Sequence, residues 1–156
     1  MEKGADISAD GLYRYALWRI LEPTKPVVMF IGLNPSTADA TTDDHTIRRC
    51  LRFSGDWGYG GLVMTNLFAF RATDPKVMLA APAPIGSEND TVLACWAKQA
   101  FLIVAIWGTK GRHQGRDKAI EGRFPNLYCF GVTKDGFPRH PARLRSDTEL
   151  VIYSTA

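Results

Sequence analysis

Two segments of this chain, Val27–Leu33 (VVMFIGL) and Phe101–Trp107 (FLIVAIW), are apolar at nearly every position and end after one strand's length. A strand with one wet face alternates polar and apolar residues, so an unbroken run this short marks a strand covered on both faces. Such cover needs helices, and helical signals fall between the runs. Thr42 or Asp43 can cap a helix reaching about Phe53 and stopped near Ser54-Gly55. Leu62–Asn66 (LVMTN) reads as a further strand, and Asn89 or Asp90 can cap the helix TVLACWAKQA that follows. Gly108 stops FLIVAIW, His113–Glu121 is a weaker helix, and Leu127–Phe130 is a fourth strand. Leu12–Leu21 (LYRYALWRIL) has helix-like apolar spacing and reads as a short helix, a strand being the alternative. Strands joined through helices pair in parallel with right-handed crossovers. The expected fold is one α/β domain over residues 1–156, a three-layer α/β/α sandwich around a central four-stranded parallel sheet.

The totals agree with a globular chain. At 156 residues it can bury roughly two-thirds of its unfolded surface. No run nears the ~18 apolar residues of a membrane span, and the polar, acidic start MEKGADISADG is neither a signal nor a transit peptide. A cytoplasmic protein without a membrane partner is expected. Cys50, Cys95 and Cys129 stand singly, without CxxC spacing, which argues for free thiols over a metal centre or a disulfide framework. The net charge of +3 is small. Its distribution says more, because Lys134, Arg139, Arg143 and Arg145 face one acid, Asp135, within residues 134–145. That cluster suits phosphate, or is a solvated basic loop.

In open parallel sheets, ligands sit beyond the carboxyl ends of the strands. Asn34, Asn66, Gly108 and the loop after Phe130 all belong there. Pro35 pushes Asn34 out of the helical region, so the chain turns abruptly and offers an amide to a ligand or to its own Asx turn. Asn66 can read the edge of a base with one donor and one acceptor, or hold a loop. His140, between Arg139 and Pro141, can serve charge developing on an oxygen, or lie on the surface. Asp39, Asp43, Asp44 and His45 can bind a hard cation, but capping of the next helix is the better account. Phe68, Phe70 and Trp57 can stack on a base, although core packing is their commoner role. Phosphate-loop, dinucleotide, zincin and nucleophile-elbow motifs are missing.

The segments RYALWRIL, GLNPSTADATTDDHTIRRC, NLFAFRATDP, SEND and GFPRHPARL together resemble the family DUF1643, a domain of unknown function. More distantly, the chain is similar to the uracil-DNA glycosylase superfamily. There a first strand ends in Gly-x-Asn-Pro, here Gly32-Leu33-Asn34-Pro35, whose Asn positions the attacking water. A second strand ends in a base-reading Asn, here Asn66 in Thr65-Asn66-Leu67. An Arg- and Pro-containing stretch follows, similar to Arg71–Pro75, and IVAIWG matches a further strand ending in Gly. A His-Pro motif supplies the histidine, here His140-Pro141, with Leu144 as the wedge. The resemblance implies a glycosylase-like fold and excision or recognition of a nucleic-acid base. Asn34 and His140 would be catalytic. Asn66, Phe68, Phe70, Gly32 and Pro35 would hold the base. Ser36, Arg71, Arg139, Arg143 and Arg145 would grip DNA. The pattern departs from that superfamily at Ala142-Arg143 and throughout PSTADATTDDHT. No cofactor or metal is implied, and the partner would be DNA or a nucleotide. Two alternatives stand beside this: a hydrolase or transferase on free nucleosides or nucleotides, metal-assisted through Asp39, Asp43 or Asp44, and a non-catalytic DNA- or protein-binding module.

Overall fold

A computed structural model describes residues 1–154. The strands are β1 (Glu2–Ile7), β2 (Arg14–Ile20), β3 (Val27–Gly32), β4 (Gly61–Asn66), β5 (Leu102–Ala105), β6 (Leu127–Cys129) and β7 (Val151–Ser154). The helices are α1 (His45–Asp56), α2 (Pro75–Ala80), α3 (Asn89–Gln99) and α4 (Arg116–Arg123). All seven strands join one sheet in the order β1-β2-β4-β3-β5-β6-β7. The four strands expected from the sequence lie together at its centre and run parallel. The sheet is nevertheless mixed rather than four-stranded and parallel, because β1, β2 and β7 extend it by antiparallel pairing.

The main correction concerns Leu12–Leu21, whose centre is strand β2. It runs between β1 and β4, and Arg14, Tyr15, Ala16, Leu17 and Arg19 are all buried. With both faces covered, no two-residue alternation survives to distinguish it from a helix. Tertiary pairing then decides, helped by the preference of Tyr and Trp for a pleated surface. The polar N-terminus is likewise an edge strand, and its Glu2, Lys3 and Asp6 blunt that edge against pairing with other chains.

Residues of β3 alternate between two cores. Val28 and Phe30 pack with Ile47, Cys50 and Phe53 of α1, whereas Met29 and Ile31 pack with Leu93 of α3 and Ile120 of α4. Helical layers thus cover both sheet faces, as the apolar runs require.

Helix ends depart from expectation for local reasons. Asp44, not Thr42 or Asp43, caps α1 by accepting the Ile47 N–H at 2.9 Å. The end of α1 falls at Asp56, next to the Ser54-Gly55 expected to stop it, and the Ser54 hydroxyl donates back to the Cys50 carbonyl at 2.8 Å. Neither Asn89 nor Asp90 caps α3, which starts after Glu88 without a side-chain cap. The Asn89 amide turns inward instead and donates to the carbonyls of Asn66 and Leu67, each at 3.0 Å. The weak helix begins at Arg116, three residues late, because Gln114 (φ 55°) and Gly115 (φ 65°) are left-handed and kink the 3-10 segment Thr109–Gly115.

Arg19 ties the loop after β3 to the sheet. Fully buried, it pairs with Asp43 at 2.8 Å and donates to the carbonyls of Asp39 (2.6 Å), Thr42 (3.4 Å), Trp18 (2.9 Å) and Gly4 (3.4 Å). Removing the guanidinium strands the buried carbonyls and leaves Asp43 facing an apolar wall. Arg19→Met should therefore lose about 3–5 kcal/mol of unfolding free energy in urea, with Asp43→Asn losing less because that carboxylate is partly exposed. A change below about 1 kcal/mol in Arg19→Met would show that the loop is held by other means.

Candidate functional site

The C-terminal ends of β3, β4 and β5 open into a cavity of about 240 Å³. Register explains how it forms. Gly32 lies directly beside Asn66 in the parallel β3–β4 ladder, and a Cβ at position 32 would stand 2.9 Å from the Asn66 amide nitrogen. Glycine there lets the Asn66 side chain lie across the neighbouring strand.

Beyond the strand ends the two chains stay paired. The N–H groups of Leu67, Phe68 and Ala72 donate to the carbonyls of Gly32, Leu33 and Pro35. Asn34 completes this seam by donating its amide nitrogen to the carbonyls of Ala72 (2.9 Å) and Pro35 (3.1 Å). Both partners can only accept, so the orientation of the amide is fixed. The amide oxygen is left as the group Asn34 can offer the cavity.

Asn66 is oriented the opposite way. Its oxygen faces the guanidinium of Arg14 at 3.5 Å, and a guanidinium can only donate. The Asn66 NH₂ is therefore the group turned toward Gly32 and the cavity.

His140 arrives from the loop after β6, which is held by backbone. Val132 bridges Pro138, Gly108 donates to the Pro138 carbonyl (3.0 Å), and Arg139 donates to the Gly131 carbonyl (3.0 Å). The imidazole Nδ1 accepts the Ala142 N–H at 3.1 Å, leaving Nε2 near Thr46 Oγ1 at 3.4 Å. An accepting Nδ1 carries no proton, so the neutral ring carries its proton on Nε2. Desolvation lowers its pKa from the ordinary 6.5, His45 adds to that shift, and Asp44 opposes it.

The cavity thus gathers Gly32, Asn34, Pro35, Ser36, Asn66 and His140. Other residues implied by the resemblance lie elsewhere. Phe68 is fully buried in the core against His113, and Phe70 packs edge-on against Tyr13. Arg71 donates to the Gly11 carbonyl at 3.3 Å. Arg139 and Arg143 are exposed, and Arg145 pairs with Asp147 at 3.1 Å on the surface. Leu144 does not project, since it packs against the α1-side core while Arg49 holds its carbonyl.

Arg14, Thr46 and Trp107 line the same cavity and were not anticipated. The signal for Arg14 was an arginine inside an apolar run, meaningful only once that run is read as a covered strand. Trp107 is 3% exposed and its indole N–H has no acceptor among the described residues.

The acids have defined duties. Asp43 pairs with Arg19, Asp39 accepts the N–H groups of Thr41 (3.0 Å) and Thr42 (2.8 Å), and Asp44 caps α1 while also lining the cavity. Among the described residues, no group of three His, Cys, Asp or Glu side chains is placed to hold a metal ion. Cys50 and Cys129 are buried and Cys95 is exposed, all as free thiols.

Fold and site together define a mixed α/β protein with a small cavity, lined by polar and apolar residues, at the ends of its parallel strands. The chain belongs to the family described as "Protein of unknown function (DUF1643)", which matches residues 14–142. No curated protein and no solved structure matches it.

The His140 shift has a checkable consequence. Because the folded-state pKa is depressed, the neutral ring's contribution to stability is fully present above pH 6.5 and is lost as pH falls through the lowered midpoint. An NMR titration of the three histidine ring C–H signals should assign the His140 midpoint below 6.5. A midpoint above it would mean that Nδ1 binds a proton in place of accepting the Ala142 N–H.

Proposed function

We propose that the cavity receives a nucleobase and that the chain hydrolyses the N-glycosidic bond joining it to a sugar. The observation carrying this reading is the fixed polarity of three groups lining one cavity. The Asn34 oxygen accepts, whereas the Asn66 NH₂ and the neutral His140 Nε2–H donate. The likeness of Gly32–Pro35, Thr65–Leu67 and His140-Pro141 to uracil-DNA glycosylase motifs supports the same assignment, and with it a glycosylase-like arrangement of the central strands.

In this mechanism the Asn34 oxygen holds a water by one of its hydrogens and aims it at the anomeric carbon. The carbon–nitrogen bond breaks, its electron pair passes to the base, and the water oxygen bonds to the sugar. Asn66 and His140 donate to the oxygen on which the departing base gathers charge. An amide cannot keep a proton, so the water's proton goes to the second oxygen of Asp44 or to solvent. Cavity size favours one ring over a whole nucleotide, since about 240 Å³ falls below the ordinary 300–1,000 Å³ of ligand pockets. Leu33, Met64, Ile106 and Trp107 supply the apolar wall that Phe68 and Phe70 do not. The exposed Arg139 and Arg143 are available for phosphates.

Release of base from single- and double-stranded oligonucleotides carrying uracil, hypoxanthine, hydroxymethyluracil or a mismatch tests this directly. Release is expected from the wild type and should fall by about 10²–10³-fold in Asn34→Ala and His140→Ala. Salt-sensitive DNA binding without release would identify a binding module instead. Turnover of free nucleosides alone would move the reaction off nucleic acid.

A further inference from the structure

Two arginines are buried in β2, and they are treated differently. Arg19 meets a carboxylate at 2.8 Å. Arg14, only 2% exposed, has no carboxylate within 4.0 Å among the described residues. Its Nη1 donates to the Ala38 carbonyl at 3.0 Å, its Nη2 reaches the Asn66 oxygen at a long 3.5 Å, and its Nε has no acceptor among the described residues. Burial lowers its pKa to about 10, so it stays charged at neutral pH. A buried charge with no partner in contact is costly, and a ligand that supplies the partner relieves that cost.

Asp44 and Asp39 are the nearby negative groups, and Arg71 and Arg19 the positive ones. One Asp44 oxygen is occupied by the Ile47 N–H at the start of α1, where the helix dipole itself favours a negative charge. Asp39 is held by the N–H groups of Thr41 and Thr42, and Arg19 is matched by Asp43. His140 on the facing wall is neutral through its bond to Ala142. Arg14 is therefore met by Asp44 and Asp39 only at longer range, with no carboxylate in contact among the described residues, and it stands beside the Asn66 NH₂ and the first turn of α1, all on one cavity.

The geometry points to a ligand that carries an anionic oxygen, seated against Arg14 and the Asn66 amide, with Arg14 as the residue that selects for it. This deepens the proposed function by naming the charge of the ligand. It rests on that reading for the cavity being the ligand site and is independent of the reaction run there. The anionic oxygen can belong to an acidic heterocycle or to a phosphate, and direct binding separates the two.

Binding of uracil, orotate (a uracil bearing a carboxylate) and inorganic phosphate to the whole chain should be measured by calorimetry at pH 7.5. Orotate is expected to bind about tenfold or more tighter than uracil, as a charge-assisted hydrogen bond implies. Arg14→Lys should keep the preference and Arg14→Gln should abolish it. Asn66→Asp supplies Arg14 with an internal carboxylate and should abolish it too, which reads the same site if Arg14→Gln fails to fold. If phosphate binds with the same dependence on Arg14 while neither heterocycle binds, anion selection stands and the nucleobase reading falls. Equal affinity for uracil and orotate, a preference that survives Arg14→Gln in a folded protein, or no anion bound at all would overturn the inference.

Discussion

In-register pairing of β3 with β4 is the constraint from which the rest of the site follows. It sets Gly32 beside Asn66, and the missing side chain at position 32 is the space into which the amide folds. The ladder then continues past the strands through Leu67, Phe68 and Ala72, and Asn34 closes it. A slip of one residue would turn every side chain of β3 to the opposite face, exchanging the α1 core for the α3–α4 core. The apolar packing that stabilises the sheet thereby also fixes where the two amides sit.

Polarity within the cavity comes from neighbours whose own chemistry allows one choice. Carbonyl oxygens can only accept, so they claim the Asn34 nitrogen. A guanidinium can only donate, so it claims the Asn66 oxygen. The Ala142 N–H does the same for His140 Nδ1. Three side chains that could each act as donor or acceptor are thus resolved into one acceptor and two donors before any ligand arrives. This is preorganisation in the sense that matters for chemistry, because the dipoles need not reorient as charge develops.

Much of this was legible in the residues. The runs VVMFIGL and FLIVAIW announced strands covered on both faces, and the rule that ligands sit at strand ends brought Asn34, Asn66 and the His140 loop to one place. The edges of the sheet were not legible. RYALWRI is buried on both sides yet pairs antiparallel, so no alternation marks it as a strand, its apolar spacing imitates a helix, and the misreading hid Arg14. Helix boundaries failed where a polar side chain had a tertiary use, as with Asn89, whose amide serves β4 instead of capping α3. Phe68 and Phe70 carried the composition of a stacking platform. Core packing, the commoner role of such residues, is what takes them: Phe68 is fully buried and Phe70 is half-buried against Tyr13.

The seating of Leu144 has an energetic consequence. Its side chain is committed to the α1-side core and its carbonyl to Arg49, so Leu144 is not free to fill the gap left by an extruded base. Unstacking a base costs a few kcal/mol, and under the proposed function that cost would fall on the nucleic acid. Under the proposed function, access would be set by how often the target base opens spontaneously. Bases in loops, frayed ends and mispairs would then be favoured over those in sound duplex.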